Sequence, residues 1–385
     1  MIKISILVGG RFHAFDLAEQ LQKNNCLHQL VTSYPRWKVL KSFNIEKRRI
    51  VTIVLKELIE RFIITIKCKN FLNKFFFYLN KYFEYFASKK IDYKNINIII
   101  GWSGFSYKTF KKAKSYNILK ILERGSSHIK FQTEILKEEY EKFGQKIKID
   151  NRVLEQELKE YDLADYISIP SQFVKNTFIN KGISENKLTL VSYGVNLNNF
   201  YPSQKKNQIF RFISVGSISL RKGSIYTLEA FNELNLPDAE LLMVGGIDQE
   251  MFPLINKFRS NKKIKFINHV PQNKLVDYYN KSDVFIISSI EDGFAMVILQ
   301  ALACGIPVIC SNNSGGSELI KNRENGFVVQ IRDVNGIKEK MLIFYENQKV
   351  LNTFKKKIQM DRINISWDIY GKKIISNCKK LLLYR

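Results

Sequence analysis

Residues 284–329 read VFIISSIEDGFAMVILQALACGIPVICSNNSGGSELIKNRENGFVV. The apolar run at 284–288 fits a buried parallel strand. Glu291 and Asp292 follow, then Gly293 and Phe294. An apolar helix is expected at 295–303, closed by Gly305, with the next strand at 308–310. Glycine at a strand–helix junction lets a ligand come close to the backbone. The free N–H groups and the dipole at the helix start favour an anion. Gly293, Phe294, Ala295, Met296 and Val297 therefore predict a diphosphate site built of backbone. Gln300, two turns further on, shares a face with Ala303 and is placed to reach a hydroxyl.

Outward from this stretch the same alternation continues. Towards the N-terminus, strands are expected at 210–215, 241–244 and 264–268, with a helix at 223–235. Residues 201–208, YPSQKKNQ, have no apolar periodicity and read as a linker. Before them lies a second array. Strands are expected at 2–8, 27–32, 97–102, 118–122, 166–170 and 187–192, and helices at 13–23 and from Ser171 to about 180. Two consecutive β-α-β arrays in 385 residues predict an α/β protein of two doubly wound, Rossmann-like domains facing a central cleft. The expected boundaries are 1–200, a linker at 201–209, and 210–365. Residues 366–385 are expected to form a helix crossing back to the first domain.

Composition narrows the partners. Lys and Arg number 61 against 36 Asp and Glu, a net charge of +25. Only 14 of the 61 are Arg, and Lys lacks the bidentate guanidinium fork, so much of the surplus reads as solvated surface. Charge alone would admit nucleic acid, an anionic membrane or phosphorylated small molecules, but no nucleic-acid reading module is recognisable. The five cysteines are scattered without a C-x-x-C pair, which argues against a disulfide framework or a zinc site. The apolar part of MIKISILVGG is too short for a signal peptide, and no run approaches a membrane span. A cytoplasmic protein is expected. Residues 36–90 stand apart, with 14 basic and 4 acidic residues and twelve interleaved aromatics. They read as a basic, aromatic, helical surface for an anionic membrane, or more plainly as ordinary helices with lysine-rich solvent faces.

Three further blocks carry candidate chemistry. Residues 214–234, SVGSISLRKGSIYTLEAFNEL, place Ser217, Arg221 and Lys222 after a strand. Lys222 is expected on a phosphate, with Arg221 beside it or else solvated at the helix start. Gly9 and Gly10, after the first strand, permit close backbone approach to a phosphate or sugar. Arg11 could add charge there, and His13 could simply cap the helix. In ERGSSH, residues 123–128, His128 is expected to face the cleft, the plainer alternative being a surface histidine. Arg11 and Arg124 are weaker candidates for phosphate or acceptor. Residues 192–196, SYGVN, read as structural.

Taken together, these blocks resemble the retaining glycosyltransferases of family 4, which have the GT-B fold. The family signature is an acid, G-F-G or G-F-A, a second Glu with seven residues between the two acids, and A-x-A-C-G-x-P-V. Here Asp292 and Gln300 stand at the two acidic positions with seven residues between them, and ALACGIPVI matches the tail. Residues 214–223 resemble the V-G-R-L-x-x-x-K-G stretch, with Lys222 on the Lys and Ser217 where Arg is usual. The resemblance implies that Asp292, or its neighbour Glu291, contacts the transferred sugar and that Gln300 contacts the ribose. It implies that Lys222 and Arg221 hold the diphosphate and that His128 touches the sugar. It further implies transfer of a sugar from a nucleotide-diphosphate sugar to a glycan or lipid-linked acceptor, with retention and without a metal. Synthesis of bacterial surface polysaccharide at the inner face of the cytoplasmic membrane suits such a chain. A nucleotide-sugar epimerase of the same fold, a nucleic-acid-binding protein and an inactive transferase are the competing readings.

Overall fold

Two parallel sheets organise the molecule, a computed structural model that describes residues 2–65, 69–204, 209–361 and 365–383. The first sheet comprises β1 (Ile4–Val8), β2 (Leu27–Thr32), β3 (Ile50–Thr52), β4 (Ile98–Trp102), β5 (Leu119–Glu123), β6 (Tyr166–Ile169) and β7 (Leu188–Leu190). Its order is β3-β2-β1-β4-β5-β6-β7. The second comprises β8 (Phe210–Val215), β9 (Ala239–Val244), β10 (Ile264–Ile267), β11 (Val284–Ile287), β12 (Val308–Ser311) and β13 (Gly326–Val329). Its order is β10-β9-β8-β11-β12-β13.

The central strands are apolar on both faces because helices cover both faces: β1, β4, β11 and β12 are buried at every residue. In each sheet the strand order reverses beside the first strand, between β1 and β4 and between β8 and β11. A doubly wound sheet opens a crevice at the carboxyl ends of the strands at such a reversal. The loops after β1, β4, β8 and β11 flank these reversals, and the loop after β5 lies one strand further along the first sheet.

The apolar core runs continuously from the first domain into the second, through Tyr193, Phe294 and Tyr279. A separate cluster fills the far face of the second sheet. The helix Trp367–Leu383 packs on Ala14–Lys23, burying Tyr370, Ile374 and Cys378. Gly371 lies so close to Gln20 that an added Cβ would stand 2.5 Å from its side chain. Gly194 is equally constrained, its Cβ position falling 2.4 Å from the Trp367 nitrogen.

Residues 36–90 are less uniform than the expected helical surface. They form the helices Arg36–Ser42, Leu55–Thr65 and Lys69–Lys90, but also β3, an edge strand of the first sheet. Three residues are too few to show an alternating pattern. Phe83 and Ala87 belong to the core, and buried Glu84 accepts from the Lys108 nitrogen at 2.9 Å. Other side chains of the segment, among them Trp37, Leu58 and Phe62, are more than half exposed. Among the described residues no helix is long and apolar enough to cross a membrane. Cys26, Cys304, Cys310 and Cys378 are buried and form no disulfide, and Cys68 lies outside the described residues.

Candidate active site

The loops after β5 and β11 meet across the domain boundary around Glu291, whose side chain is fully buried. Its Oε1 accepts from the Ser127 backbone nitrogen at 3.0 Å and from Ser127 Oγ at 2.8 Å. Its Oε2 accepts from Gln132 Nε2 at 2.8 Å and pairs with Arg221, Nη2 at 2.8 Å and Nε at 3.0 Å. Burial alone would raise this carboxyl. The Arg221 charge and the donors from Ser127 and Gln132 outweigh that and hold it below the usual carboxylate range. Glu291 therefore has no oxygen left for a sugar hydroxyl. Its neighbour differs. Asp292 pairs with Lys222 and accepts from the Ala295 nitrogen at 3.0 Å. Burial pushes it up, and the charges of Lys222 and Arg221 bring it below its ordinary value.

The turn that follows is shaped by contact between domains. An added Cβ at Gly293 would stand 2.0 Å from the Gly125 carbonyl oxygen. Ser171 Oγ donates to the Gly293 carbonyl at 2.8 Å. The glycine thus admits the backbone of the first domain in this arrangement. Phe294 is buried with its ring 5.1 Å from that of Tyr193. Ala295 has φ +47°, a left-handed conformation that costs a non-glycine residue about 1 kcal/mol. The helix proper begins at Met296. Val297 is half-buried, and its carbonyl accepts from Tyr279 Oη at 3.5 Å. Tyr279 Oη also donates to Gln300 Oε1 at 2.9 Å, which turns the acceptor end of that amide inward.

Between the domains lies a cavity of about 700 Å³. Arg11, Phe12, His13 and Asp16 line it from the first domain, and Gln272, Met296 and Gln300 from the second. Trp367 of the crossing helix and Asn196 complete the wall. Arg221, Lys222 and Asp292 do not line it; their charges are taken up by one another and by Glu291. Ser217 is exposed, 3.3 Å from Ser219 Oγ. Gly9 and Gly10 accommodate aromatic rings, an added Cβ at Gly9 falling 2.2 Å from Phe105 and one at Gly10 falling 3.2 Å from Phe12.

Two expectations are corrected by this geometry. His128 does not face the cleft and is not on the surface. It is 2% exposed, packed against Tyr161 and Phe178, and its Nδ1 accepts from the Lys130 nitrogen at 3.2 Å, capping the helix Ile129–Lys142. Burial, with the charges of Arg124 and Lys130, lowers its pKa to about 4, so it is neutral at pH 7. Arg124 is likewise buried, tied to Glu157 at 3.0 Å and to the Ser127 carbonyl at 3.0 Å. It braces the loop whose Ser127 holds Glu291. The histidine on the cavity wall is His13, which makes no side-chain cap. Its Nε2 lies 3.2 Å from Glu123 Oε1, and its ring lies 4.0 Å from that of Tyr193. Asp16, one turn on, is pushed up to about 6 by burial, with the charges of His13 and Arg11 opposing. Only the spacing of His13 and Asp16 at the start of the first helix signals this pair in the sequence. No group of three or more His, Cys, Asp or Glu able to hold a metal occurs among the described residues.

Comparison with known proteins bears on the second domain most directly. Residues 198–360 match the model of the family described as "Glycosyl transferases group 1". A sucrose-phosphate synthase structure from Thermosynechococcus elongatus superposes with TM-score 0.72 at 17% identity, covering 100% of both chains. An Anabaena protein, HepE, solved in complex with UDP, superposes with TM-score 0.69 at 14% identity, covering 98% of this chain and 100% of that one. The fold is GT-B. By sequence, the chain is 28% identical over 195 residues to an Escherichia coli protein named UDP-Gal:alpha-D-GlcNAc-diphosphoundecaprenol alpha-1,3-galactosyltransferase, a match over 46% of this chain and 50% of that one. It is 23% identical over 210 residues to a Campylobacter jejuni N,N'-diacetylbacillosaminyl-diphospho-undecaprenol alpha-1,3-N-acetylgalactosaminyltransferase, over 51% and 55%. The chain thus spans about half the length of these relatives.

Glu291→Ala should destabilise the protein by about 3 kcal/mol in urea unfolding, because it strands Arg221 and the buried Ser127 N–H. A loss under about 0.5 kcal/mol would contradict the clamp. The stability the carboxylate lends is complete above its unfolded pKa of about 4.3 and is lost as pH falls through its lower folded value. For His128 the unfolded chain binds the proton from about pH 6.5 downward and the folded chain only near pH 4. Between pH 7 and 4 the wild type should therefore lose up to about 3 kcal/mol more stability than His128→Asn, which keeps a capping side chain. The difference between the two proteins removes the opposite slope that Asp16 contributes to both. Parallel pH profiles would place His128 in water.

Proposed function

We propose that the protein is a retaining, metal-independent glycosyltransferase. It moves a sugar from a nucleotide-diphosphate sugar to a glycan or lipid-linked acceptor of bacterial surface polysaccharide. The observation that carries this reading is the pairing of Arg221 and Lys222 with Glu291 and Asp292 at the carboxyl ends of β8 and β11, where the second sheet reverses. Two cations and two carboxylates at a reversal in a GT-B domain supply both halves of donor chemistry. The family match over 198–360 and the names of the relatives support the same reading.

The donor's diphosphate displaces Asp292 from Lys222, and the freed carboxylate turns to the hydroxyls of the sugar. Gln300, its oxygen held by Tyr279, offers its amide N–H to the ribose. Entry requires the loop around Gly125 to lift from Gly293. As the bond from the anomeric carbon to the diphosphate breaks, negative charge grows on the leaving oxygen. Lys222 and Arg221 stabilise it without a metal. The acceptor oxygen bonds to the same face of the sugar, and its proton passes to the leaving phosphate. His13 and Asp16 stand on the cavity wall where the acceptor enters.

A peripheral site on the inner face of the cytoplasmic membrane completes the proposal. Leu58 and Phe62, four residues apart on one helix, are 53% and 66% exposed within a segment of net charge +10 (14 basic, 4 acidic). Exposed rings and aliphatics beside cations suit an anionic bilayer.

A thermal-shift series with nucleoside diphosphates, UDP first, tests the donor site. One of them should raise the melting temperature of the wild type by a few degrees and leave Lys222→Ala unmoved. No shift with any of them would overturn the assignment. For the membrane face, the wild type should sediment with vesicles containing anionic phospholipid at low salt and remain free at 1 M salt, where the Debye length is about 3 Å. Leu58→Ser with Phe62→Ser should weaken sedimentation at least severalfold. Undiminished binding would remove residues 55–65 from that face.

A further inference from the structure

A second cavity, of about 340 Å³, adjoins the interdomain cavity and shares Arg11, Ser42 and Phe43 with it. Its remaining wall is Tyr34, Trp37, Lys38 and Lys41, with Phe15 at its base. Three cations and no carboxylate line it. None of Arg11, Lys38 and Lys41 lies in an ion pair among the described residues, and each acid of the surrounding segment is engaged elsewhere. Glu46 pairs with Arg48 and Arg49, Glu57 with Arg61, and Glu60 with Lys56. Two of the cations lie over rings instead: Arg11 is 5.4 Å from the centre of Phe43, and Lys38 is 5.8 Å from Tyr34 and 5.2 Å from Trp37. A concave, aromatic-walled site with three cations, of which only Arg11 has a carboxylate, Asp16, near it, fits a compact polyanion.

Its position says which one. The donor's diphosphate has its own cations, Arg221 and Lys222, on the other domain. The new cavity opens from the part of the cleft lined by Arg11, Ser42 and Phe43, on the first-domain side. On its outer side the helix Arg36–Ser42 exposes Trp37 and Leu40, 64% and 40% accessible. We infer that the cavity lined by Arg11, Lys38 and Lys41 binds the diphosphate of a glycosyl diphosphate lipid acceptor, with the lipid leaving over Trp37 and Leu40. The inference rests on the proposed transferase reading and narrows its acceptor from any glycan to a sugar borne on a lipid diphosphate. Asp16, on the wall of the interdomain cavity with Arg11, then meets the acceptor sugar, and Arg11, which lines both cavities, bridges the sugar and its diphosphate.

Farnesyl diphosphate serves as the probe, read by tryptophan fluorescence of the full-length protein. It should bind saturably and change the emission of the wild type. Trp37→Phe should lose most of the change while keeping competence to bind, as measured by calorimetry. Lys38→Ala with Lys41→Ala should weaken binding at least about tenfold, one charge-assisted contact being worth about a decade or more. Both substitutions lie on the surface, and an unchanged melting temperature certifies the fold. Farnesol should bind at least tenfold more weakly than the diphosphate. Saturating UDP should leave the affinity for farnesyl diphosphate within about twofold, since the sites are separate. Equal binding by the double variant, or displacement of the probe by UDP, would overturn the inference. So would loss of sedimentation with anionic vesicles in parallel with loss of probe binding, which would make the cavity a headgroup site. None of these readings depends on turnover, so failure here is distinguishable from failure at the donor site.

Discussion

The buried carboxylate of Glu291 is the interaction on which the assembled site depends. It belongs to the second domain by sequence and takes three of its hydrogen bonds from the first, from Ser127 and Gln132. Its fourth partner, Arg221, comes from the loop after β8. A single charge thus fixes two loops of one sheet and one loop of the other. Burying it is tolerable only because every lone pair is used, and the loss of any donor would leave an expensive charge behind. Arg124 supports the arrangement from the rear by bonding the Ser127 carbonyl and pairing with Glu157. The long helix Ile129–Lys142 adds a second tie, since Glu139 accepts from Tyr226 at 2.7 Å and from Arg332 at 2.7 Å.

This clamp explains why Asp292 and Glu291, adjacent in the chain, have different capacities. Successive side chains around a turn point in different directions, and one of the two is consumed by the domain boundary. Asp292 keeps an exchangeable partner in Lys222, whose side chain is 26% exposed. The Ala295 nitrogen holds one oxygen of Asp292 from the opposite side, so a change of partner at the other oxygen leaves the turn intact. The left-handed φ at Ala295 is the strain accepted to bring that nitrogen round.

Much of this was legible in the sequence, and the parts that were not share a cause. The central strands are visible because burial on both faces leaves unbroken apolar runs such as ISILV and VFII. The edge strand β3 was not, because its three residues follow Lys47-Arg48-Arg49 and run straight into the apolar start of the next helix, which leaves no period to read. The 292/300 spacing located the turn and the amide on one helix. The roles of His13 and His128 were exchanged because each follows a strand and precedes a helix. Which one is packed inward depends on Tyr161 and Phe178, which arrive from helices far along the chain. In the same way Gly293 looked like a space for a phosphate, and the space is filled by the backbone at Gly125. Local sequence indicates that a close approach occurs; the tertiary partner decides what makes it.

The charge of the chain takes on a definite pattern at the cleft. On the second domain Arg221 and Lys222 are compensated by Glu291 and Asp292, so an anion reaching Lys222 would have to exchange with Asp292 before it gained the full field of the pair. On the first domain Arg11 and Lys38 are backed by aromatic rings, which stabilise a cation without neutralising it, and Lys41 stands beside them on the same cavity wall. Glu46, Glu57 and Glu60 pair within that segment, and Asp16 faces Arg11, so Lys38 and Lys41 keep no carboxylate of their own. One side of the cleft therefore discriminates by exchange and the other attracts by open charge. An anion approaching from the side of residues 36–65 meets Lys38 and Lys41 first, and one approaching the second domain meets two neutralised pairs that yield only to a better ligand.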